Sequence, residues 1–255
     1  TSGGTTNRNG GPYSITMEAV REFEVVTNQY DVTLGRSGGG TVSTVTKSGT
    51  NTLKGSAFLF SRANWLSSPY DIQGRDRKVD FSTYQYGASL GGAIIKDRAH
   101  FFVAWDHQED SRPLYIADIK SAADETRLNL TQTTLDRFLK IARSKYGVAS
   151  TPQTGSFDKK QGTDAVFARI DWQLNPTNLL TIRDNYVNDR NKQKLDDNTT
   201  INLYEVYGDV NSVDNSLLAT LRTVFSPKTL NELKLQHLYT SEESTPNEQL
   251  SQNNI

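Results

Sequence analysis

The sequence contains no cysteine and no run of about eighteen apolar residues, and 35% of its 255 residues are hydrophobic. Without cysteine the chain cannot form disulfides, thiolate metal sites or a cysteine nucleophile. The lack of a long apolar run excludes a transmembrane helix. A transmembrane β-barrel stays open, because its strands alternate apolar and polar residues. The formal net charge of −1 gives no electrostatic case for binding nucleic acid or an anionic membrane surface.

Residue types that serve catalysis are present, but their spacing predicts no catalytic site. His100, His107 and His237 lack the spacing of metal ligands. The acidic pairs at 109–110 and 242–243 are adjacent in predicted strands, so the two carboxylates of each pair point to opposite faces. No serine lies in a nucleophile-elbow pattern. The sequence therefore predicts no catalytic residue, metal site or cofactor, and a protein that is not an enzyme.

The first fifty residues predict a short helical turn and two strands around a glycine cluster. Residues 15–20 predict the turn, with Thr16 in a position to be its N-cap. Strands are predicted at 21–27 and 41–46 from alternation and Thr/Val content. The glycines at 38–40 predict a tight turn rather than a phosphate-binding loop, since no Lys-Ser/Thr follows at P-loop spacing.

The rest of the chain predicts seven long antiparallel strands whose connections alternate between short and long. The strands are predicted at Lys54–Arg62, Ser82–Ile94, Ala99–Glu109, Asp164–Leu174, Leu179–Asn188, Asn215–Phe225 and Leu230–Thr240. Tight turns are predicted at 96–98, 175–178 and 226–229, and long polar connections at 63–81, 110–163 and 189–214. Strands of about ten residues exceed the usual length in soluble proteins and suffice to cross a bilayer when tilted. A soluble antiparallel sandwich is the alternative, because it also alternates.

The long connection at 110–163 contains a helix candidate. Apolar residues at helical spacing predict a helix over Ala123–Tyr146, and Gly147 is a stop signal. One interpretation is that this helix covers or shapes a substrate mouth. The favoured interpretation is that it packs on its own loop.

Four stretches of the sequence resemble the end of the plug domain and the first barrel strand of TonB-dependent outer-membrane transporters, most closely the Oar-like branch. They are Glu18–Asn28, Gly35–Gly40, Thr46–Asn51 and Gly55–Phe58. The resemblance implies that residues 1–50 are the C-terminal part of an α+β plug domain. It implies that residues 51–255 are the N-terminal part of an all-β transmembrane antiparallel barrel with long extracellular loops. Barrels of this class have about 22 strands, so we expect the sequence to be an internal fragment.

The same resemblance implies a location in the bacterial outer membrane and the active uptake of a bulky, scarce solute. The implied partners are outer-membrane lipids, that solute and the inner-membrane TonB–ExbB–ExbD complex, which would act through a segment outside these residues. A surface lipoprotein that closes the barrel is a further candidate partner. The alternative is a structural, adhesion or export component built on the same barrel, and a weaker one is a soluble β-rich binding module.

Two sets of site residues follow from the resemblance. The predicted hinge between plug and barrel is Gly35, Arg36, Gly38, Gly39 and Gly40. Charged residues that project inward from the barrel strands need partners, because the alternative is a partly desolvated ion. The candidates for ion pairs between plug and wall are Glu22, Glu24 and Arg36 from the plug, with Arg169, Asp171, Arg183 and Arg222 from the wall.

Overall fold

A computed structural model of the chain describes residues 15–26, 41–68, 70, 80–148, 150–191, 203–204 and 207–246. These residues form a two-stranded antiparallel sheet, a seven-stranded antiparallel sheet and two short α-helices. No helix within these ranges is long and apolar enough to span a membrane.

The two-stranded sheet is built from β1 (Val20–Val26) and β2 (Thr41–Thr46). A 3-10 turn, Met17–Ala19, precedes it. The Thr16 hydroxyl accepts a hydrogen bond from the Ala19 amide at 3.0 Å, so the predicted N-cap is confirmed. We call residues 15–26 and 41–46 the N-terminal unit.

The large sheet is a meander in which each strand pairs with the next one in the chain. Its strands are β3 (Lys54–Ala63), β4 (Ser82–Ile95), β5 (Ala99–Ile116), β6 (Gly155–Asn175), β7 (Asn178–Asn191), β8 (Gly208–Ser226) and β9 (Thr229–Pro246). The three predicted tight turns are confirmed. All three therefore lie at one end of the sheet, which we call the turn end, and the opposite end is the loop end.

Several strands extend further toward the loop end than the sequence predicts. The predicted connection at 110–163 is shorter, since β5 continues to Ile116 and β6 begins at Gly155. Pro113 made this extension hard to predict, because proline cannot donate to a ladder. Ser111 is the last β5 residue that pairs with β4. Beyond it β5 is an edge strand, where proline is tolerated.

The register of the turns gives the tilt of the strands. Ala99 pairs with Trp172, yet β6 continues three residues further, to Asn175. In the next hairpin Asn178 pairs with Thr223, and β8 again continues three residues, to Ser226. Three residues correspond to about 10 Å along a strand and two strands to about 9.6 Å across the sheet. If the turns lie in one plane, the tilt is about 45°, within the range of barrel strands.

The two faces of the large sheet have opposite character. We call the face that contacts the N-terminal unit the inner face and the other the outer face. Large apolar side chains on the outer face are between 37% and 75% exposed. They are Tyr84, Tyr86, Leu90, Val103, Trp105, Val166, Ile170, Trp172, Ile182, Leu217, Leu233, Leu235 and Tyr239. An apolar surface of this extent indicates a membrane or protein partner on that side.

The predicted single helix between β5 and β6 is wrong in detail, because two helices are present. They are α1 (Ala122–Leu128) and α2 (Gln132–Tyr146). Asn129 ends α1 with a φ of 50°, in the left-handed region that asparagine tolerates. The Thr131 hydroxyl then accepts a hydrogen bond from the Thr134 amide and begins α2. The end of α1 and the start of α2 are both set by short polar side chains, which compete with helical hydrogen bonding.

Candidate functional site at the inner face of the sheet

The 3-10 turn of the N-terminal unit packs on the inner face of β5 and β6. Ala19 is fully buried, and it forms an apolar cluster with Phe102, Ala104 and Phe167. Ile15 packs against the same cluster. Small residues at 19 and 104 let the two backbones approach each other, while Phe167, 1% exposed, fills the space beside them. The cluster seats the N-terminal unit on the sheet by apolar burial.

A buried carboxylate of the wall holds the first residue of the turn. The Met17 amide donates a hydrogen bond to Asp106 Oδ2 at 2.7 Å, which satisfies an N–H that the short turn cannot satisfy itself. Asp106 is 4% exposed. A Cβ on Gly87 would lie 2.5 Å from Asp106 Oδ1. Glycine at 87 therefore leaves the room that this carboxylate occupies.

Glu18 contacts two strands of the large sheet and the residue that follows β2. Its Oε2 accepts hydrogen bonds from the hydroxyls of Ser56, at 2.6 Å, and Ser89, at 3.2 Å. The ammonium of Lys47 lies 3.5 Å from the same oxygen. The hydrogen bond from Ser56 is the main cause that holds the pKa of Glu18 below its ordinary value, and Lys47 and Ser89 add to it. Glu18 is therefore held as a carboxylate between β3 and β4.

Arg169 joins β6 to the last residue of β2. Its Nε and Nη2 donate to the two oxygens of Asp171 at 2.8 and 2.9 Å. Its Nη1 donates to Thr46 Oγ1 at 2.9 Å. The Thr181 hydroxyl donates to the same Asp171 at 2.8 Å. Asp171 thus fixes the guanidinium in a forked geometry, which aims the remaining N–H groups at the N-terminal unit.

The predicted site residues have different positions. Gly35, Arg36, Gly38, Gly39 and Gly40 lie outside the described residues, as does the side chain of Glu24. Glu22 is exposed. Arg183 faces Arg169 in the register, and Arg222 faces Glu232, which pairs with Lys234 at 2.9 Å. We call the contact between the N-terminal unit and the inner face of β3–β6 the seam. The structure brings Arg169 and Asp171 to the seam, but the predicted ion pairs with plug acids stay a prediction.

A second cluster lies at the loop end of the inner face. Leu114, Ile116 and Tyr207 are buried together, with Phe157 and Tyr204 packed against them. The rings of Phe157 and Tyr204 stack with centroids 4.3 Å apart. The connection between β7 and β8 therefore contacts the extended parts of β5 and β6. The favoured prediction for the loop helix agrees with local packing, since Arg143 of α2 donates to the Thr151 carbonyl of the same loop at 3.4 Å.

Aromatic and polar side chains lie on the outer face toward the loop end of the sheet. The rings of Tyr86 and Trp105 meet edge to face at 5.5 Å, and His107 lies beside both. The indole N–H of Trp105 donates to Asp164 Oδ1 at 3.3 Å, and Arg190 pairs with the other Asp164 oxygen. Amphipathic rings with one polar contact are typical of a membrane interface.

The described ranges contain no group of three or more His, Cys, Asp or Glu residues that could hold a metal ion. His107 Nδ1 instead lies 2.8 Å from Asp164, and His100 contacts an asparagine. Asp106 and Glu18 instead hold the N-terminal unit on the sheet. The arrangement holds one chain segment against another.

Sequence reasoning missed Glu18, Asp106 and Asn51. Asp106 gave a signal, because it directly follows the apolar residues 101–105 and shares a face with Phe102 and Ala104. Glu18 and Asn51 gave none, since their partners lie 29 to 71 and 46 to 49 residues away in the chain.

Comparison with known proteins agrees with this architecture. Residues 45–255 match a family model described as an outer membrane beta barrel domain. The chain belongs to this family. It is also 35% identical to the TonB-dependent transporter Oar of Myxococcus xanthus over 109 residues, which cover 38% of this chain and 10% of Oar. No solved structure matches.

The family match confirms the predicted fold class, a partial transmembrane antiparallel barrel in the bacterial outer membrane. The predicted resemblance to Oar-like TonB-dependent receptors is confirmed as well. The chain spans about a tenth of the length of this curated relative. Within the family, the outer face of the sheet is the lipid-facing side and the inner face lines the barrel.

Proposed function

We propose that the full-length protein is a TonB-dependent transporter that takes up a bulky, scarce solute across the outer membrane. The observation that carries this proposal is the N-terminal unit seated on the inner face, with Ala19 fully buried against β5 and β6. A segment in that position obstructs the barrel, and a solute can pass only if the segment moves. Transport through such a barrel therefore requires work on the N-terminal unit.

In this proposal the N-terminal unit belongs to the plug. Residues 1–50 are the C-terminal part of the plug and residues 51–255 begin the barrel. The family match supports this division, since it begins at residue 45. The glycine-containing segment from Gly35 to Gly40 acts as the hinge. The turn end of the sheet faces the periplasm and the loop end faces the outside, because outer-membrane barrels have short periplasmic turns and long outer loops.

Energy reaches the plug from the inner membrane. The TonB–ExbB–ExbD complex pulls through a segment outside these residues, and the proton gradient supplies the work. The seam supports a reversible movement, since its contacts are a small apolar cluster and a few hydrogen bonds rather than a continuous core. The protein is a transporter rather than an enzyme. Its solute, and a lipoprotein that closes the outer mouth, are to be identified by experiment.

Competitive growth tests the proposed function. A strain that lacks the full-length gene competes against its parent in media that each limit one nutrient. We expect a loss of fitness on one nutrient, and the same loss when the energy-transducing complex is removed. Equal fitness in every medium, together with a defect in adhesion or protein export, would favour the alternative function on the same barrel.

Charge reversal tests the ion pairs between plug and wall. The pairs join Glu22 or Glu24 to Arg183 or Arg222, and each single reversal is expected to reduce uptake. Reversal of both members of a true pair restores it, because the attraction is re-formed with opposite signs. If no combination restores uptake, these pairs do not hold the plug.

A further inference from the structure

The segment that connects the N-terminal unit to β3 lies directly against the first hairpin of the turn end. A Cβ on Gly49 would overlap the carbonyl oxygen of Phe101 and lie 2.7 Å from that of Gly92. A Cβ on Gly92 would in turn lie 2.9 Å from the Leu53 side chain. Only glycine permits this approach of one backbone to another. The segment therefore packs against both strands of the β4–β5 hairpin.

Asn51 binds the turn of that hairpin with both ends of its amide. Its Oδ1 accepts a hydrogen bond from the Asp97 amide at 2.8 Å, and its Nδ2 donates to Asp97 Oδ1. His100 Nε2 lies 2.9 Å from the same Asn51 Oδ1. The backbone N–H of Asp97 identifies this Asn51 atom as the amide oxygen, which can only accept. The histidine is therefore the donor. Asp97 has a φ of 60°, and the amide of Asn51 holds this left-handed turn residue.

The turn is itself attached to the next strand. The Gln173 amide donates to the Arg98 carbonyl at 2.7 Å, and the Arg98 guanidinium donates to the Leu174 carbonyl at 3.3 Å. Force applied to Asn51 therefore passes through Asp97 and Arg98 into β6. Three strands, β4, β5 and β6, share a load that would otherwise act on the end of β3 alone.

The contact between Asn51 and the β4–β5 turn matters because of where a pull on the plug would reach the barrel. A pull on the plug reaches the barrel through residues 47–53, at the turn end of β3. Without a second attachment, β3 would separate from β4 one hydrogen-bonded pair at a time, beginning at Lys54 and Gly91. Attachment to the hairpin instead requires several bonds to break together.

We propose that Asn51, with Gly49, Asp97 and His100, forms a fixed anchor at which movement of the plug stops and the barrel begins. This inference rests on the proposed function, because it assumes that the plug is pulled. Asn51 acts as a positioning residue, since it holds the linker and contacts no solute.

Single-molecule pulling on the full-length protein in lipid tests the anchor. The protein is held by its barrel and pulled at its N-terminus under constant force. In the parent protein, we expect plug residues to extend first and barrel strands to follow only after a long delay. In Asn51→Ala, the rate at which β3 leaves the sheet should rise about tenfold, because three side-chain hydrogen bonds are lost. Plug extension itself should be unchanged.

Matched variants separate the anchor from general destabilisation. Asn64→Ala removes an asparagine that donates to Asp80 at the other end of β3, and its β3 release rate should equal that of the parent. Asp97→Asn keeps an acceptor and tolerates the left-handed φ, so it should also resemble the parent. An Asn51→Ala release rate equal to that of Asn64→Ala would overturn the proposal. A heat-shifted gel band confirms that each variant is folded.

A disulfide distinguishes a fixed anchor from a moving one. These 255 residues contain no cysteine, so Asn51→Cys with Asp97→Cys introduces one defined pair once any cysteine elsewhere in the full-length protein has been replaced by serine. We expect the oxidised protein to release its plug at the parental force. If oxidation blocks plug release, the segment moves and the anchor is wrong. If the plug does not extend in the parent at all, the proposed function fails, and the anchor is judged by β3 release alone.

Discussion

The inner and outer faces of β6 carry side chains of opposite character. Ile170 and Trp172 on the outer face are 40% and 42% exposed. Between and beside them, Arg169 and Asp171 point inward, with side chains 22% and 15% exposed. In a water-soluble sheet the apolar residues would be covered and the charged ones exposed. Because β6 exposes its apolar side chains and shields its charged ones, we infer that lipid surrounds the outer face.

The two faces also differ in how their residues are held. The inner side chains have specific partners, as Arg169 does in Asp171 and Thr46. The outer apolar side chains need none, because hydrocarbon surrounds them without hydrogen bonds. Inner-face substitutions should therefore act through named partners, and outer-face substitutions should act through transfer between solvents.

The largest effect is expected when a charge is placed on the outer face. Ile170→Arg should destabilise the folded barrel by about 2–4 kcal/mol, because the guanidinium enters hydrocarbon. Ser216→Arg places the same side chain on the inner face of β8, near Asp214, and should cost less than about 1 kcal/mol. Urea unfolding of the full-length protein in vesicles measures both. Equal losses would show that the outer face does not contact lipid.

A steric change in the linker, residues 47–53, should have the next largest effect. Gly49→Ala puts a methyl group against two backbone carbonyls and should cost about 1–3 kcal/mol. Gly162→Ala is the control, since its nearest neighbour would be an arginine nitrogen at 3.8 Å. Limited proteolysis of the N-terminal unit in the folded barrel detects loosening. Equal proteolysis of both variants would contradict the close approach.

The sequence predicted the features that depend on residues close to one another in the chain. Alternation located all seven strands and the three tight turns, because the solvent on each face imposes a period of two. The N-cap at Thr16 was also predictable, since it depends on residues three apart. The extensions of β5 and β6 were not, because the polar residues 108–112 interrupt the alternation and Pro113 cannot donate to a ladder.

The seam was less predictable because its contacts are distant in the chain. Arg169 lies 123 residues from Thr46, and Met17 lies 89 from Asp106. The sequence indicated that inward charges need partners, but it could not indicate which partners. Arg169 shows this limit, since its partners are Asp171 on its own strand and a neutral threonine. Local pattern predicts a side chain's face, and only the fold determines its neighbour.

Removal of Arg169 tests whether specific partners hold the inner face. Arg169→Ala should cost about 1–2 kcal/mol, since the forked pair and the bonds to Thr46 are lost in a partly exposed site. We expect faster hydrogen exchange in β2. Lys234→Ala removes an exposed inner-face cation whose partner, Glu232, lies on its own strand, and it should leave β2 exchange unchanged. Faster exchange in both variants would indicate a general charge effect instead.

The smallest effect concerns the protonation of Glu18. Because the pKa of Glu18 in the folded protein lies below its ordinary value of 4.5, its contribution to seating is present above that value. The contribution is lost as the pH falls through the lowered pKa. Proteolysis of the N-terminal unit should therefore accelerate about twofold to threefold at acidic pH in the parent.

In Glu18→Gln this acceleration should be absent, since the amide does not titrate. Glu243→Gln, which neutralises an exposed acid of β9, should keep the parental pH dependence. If Glu18→Gln also keeps it, another carboxylate controls the seam at low pH, and Asp106, the buried acceptor for the Met17 amide, is the next to test. Loss of the acceleration in Glu18→Gln alone would assign the acid sensitivity of the N-terminal unit to the contact of Glu18 with Ser56 and Ser89.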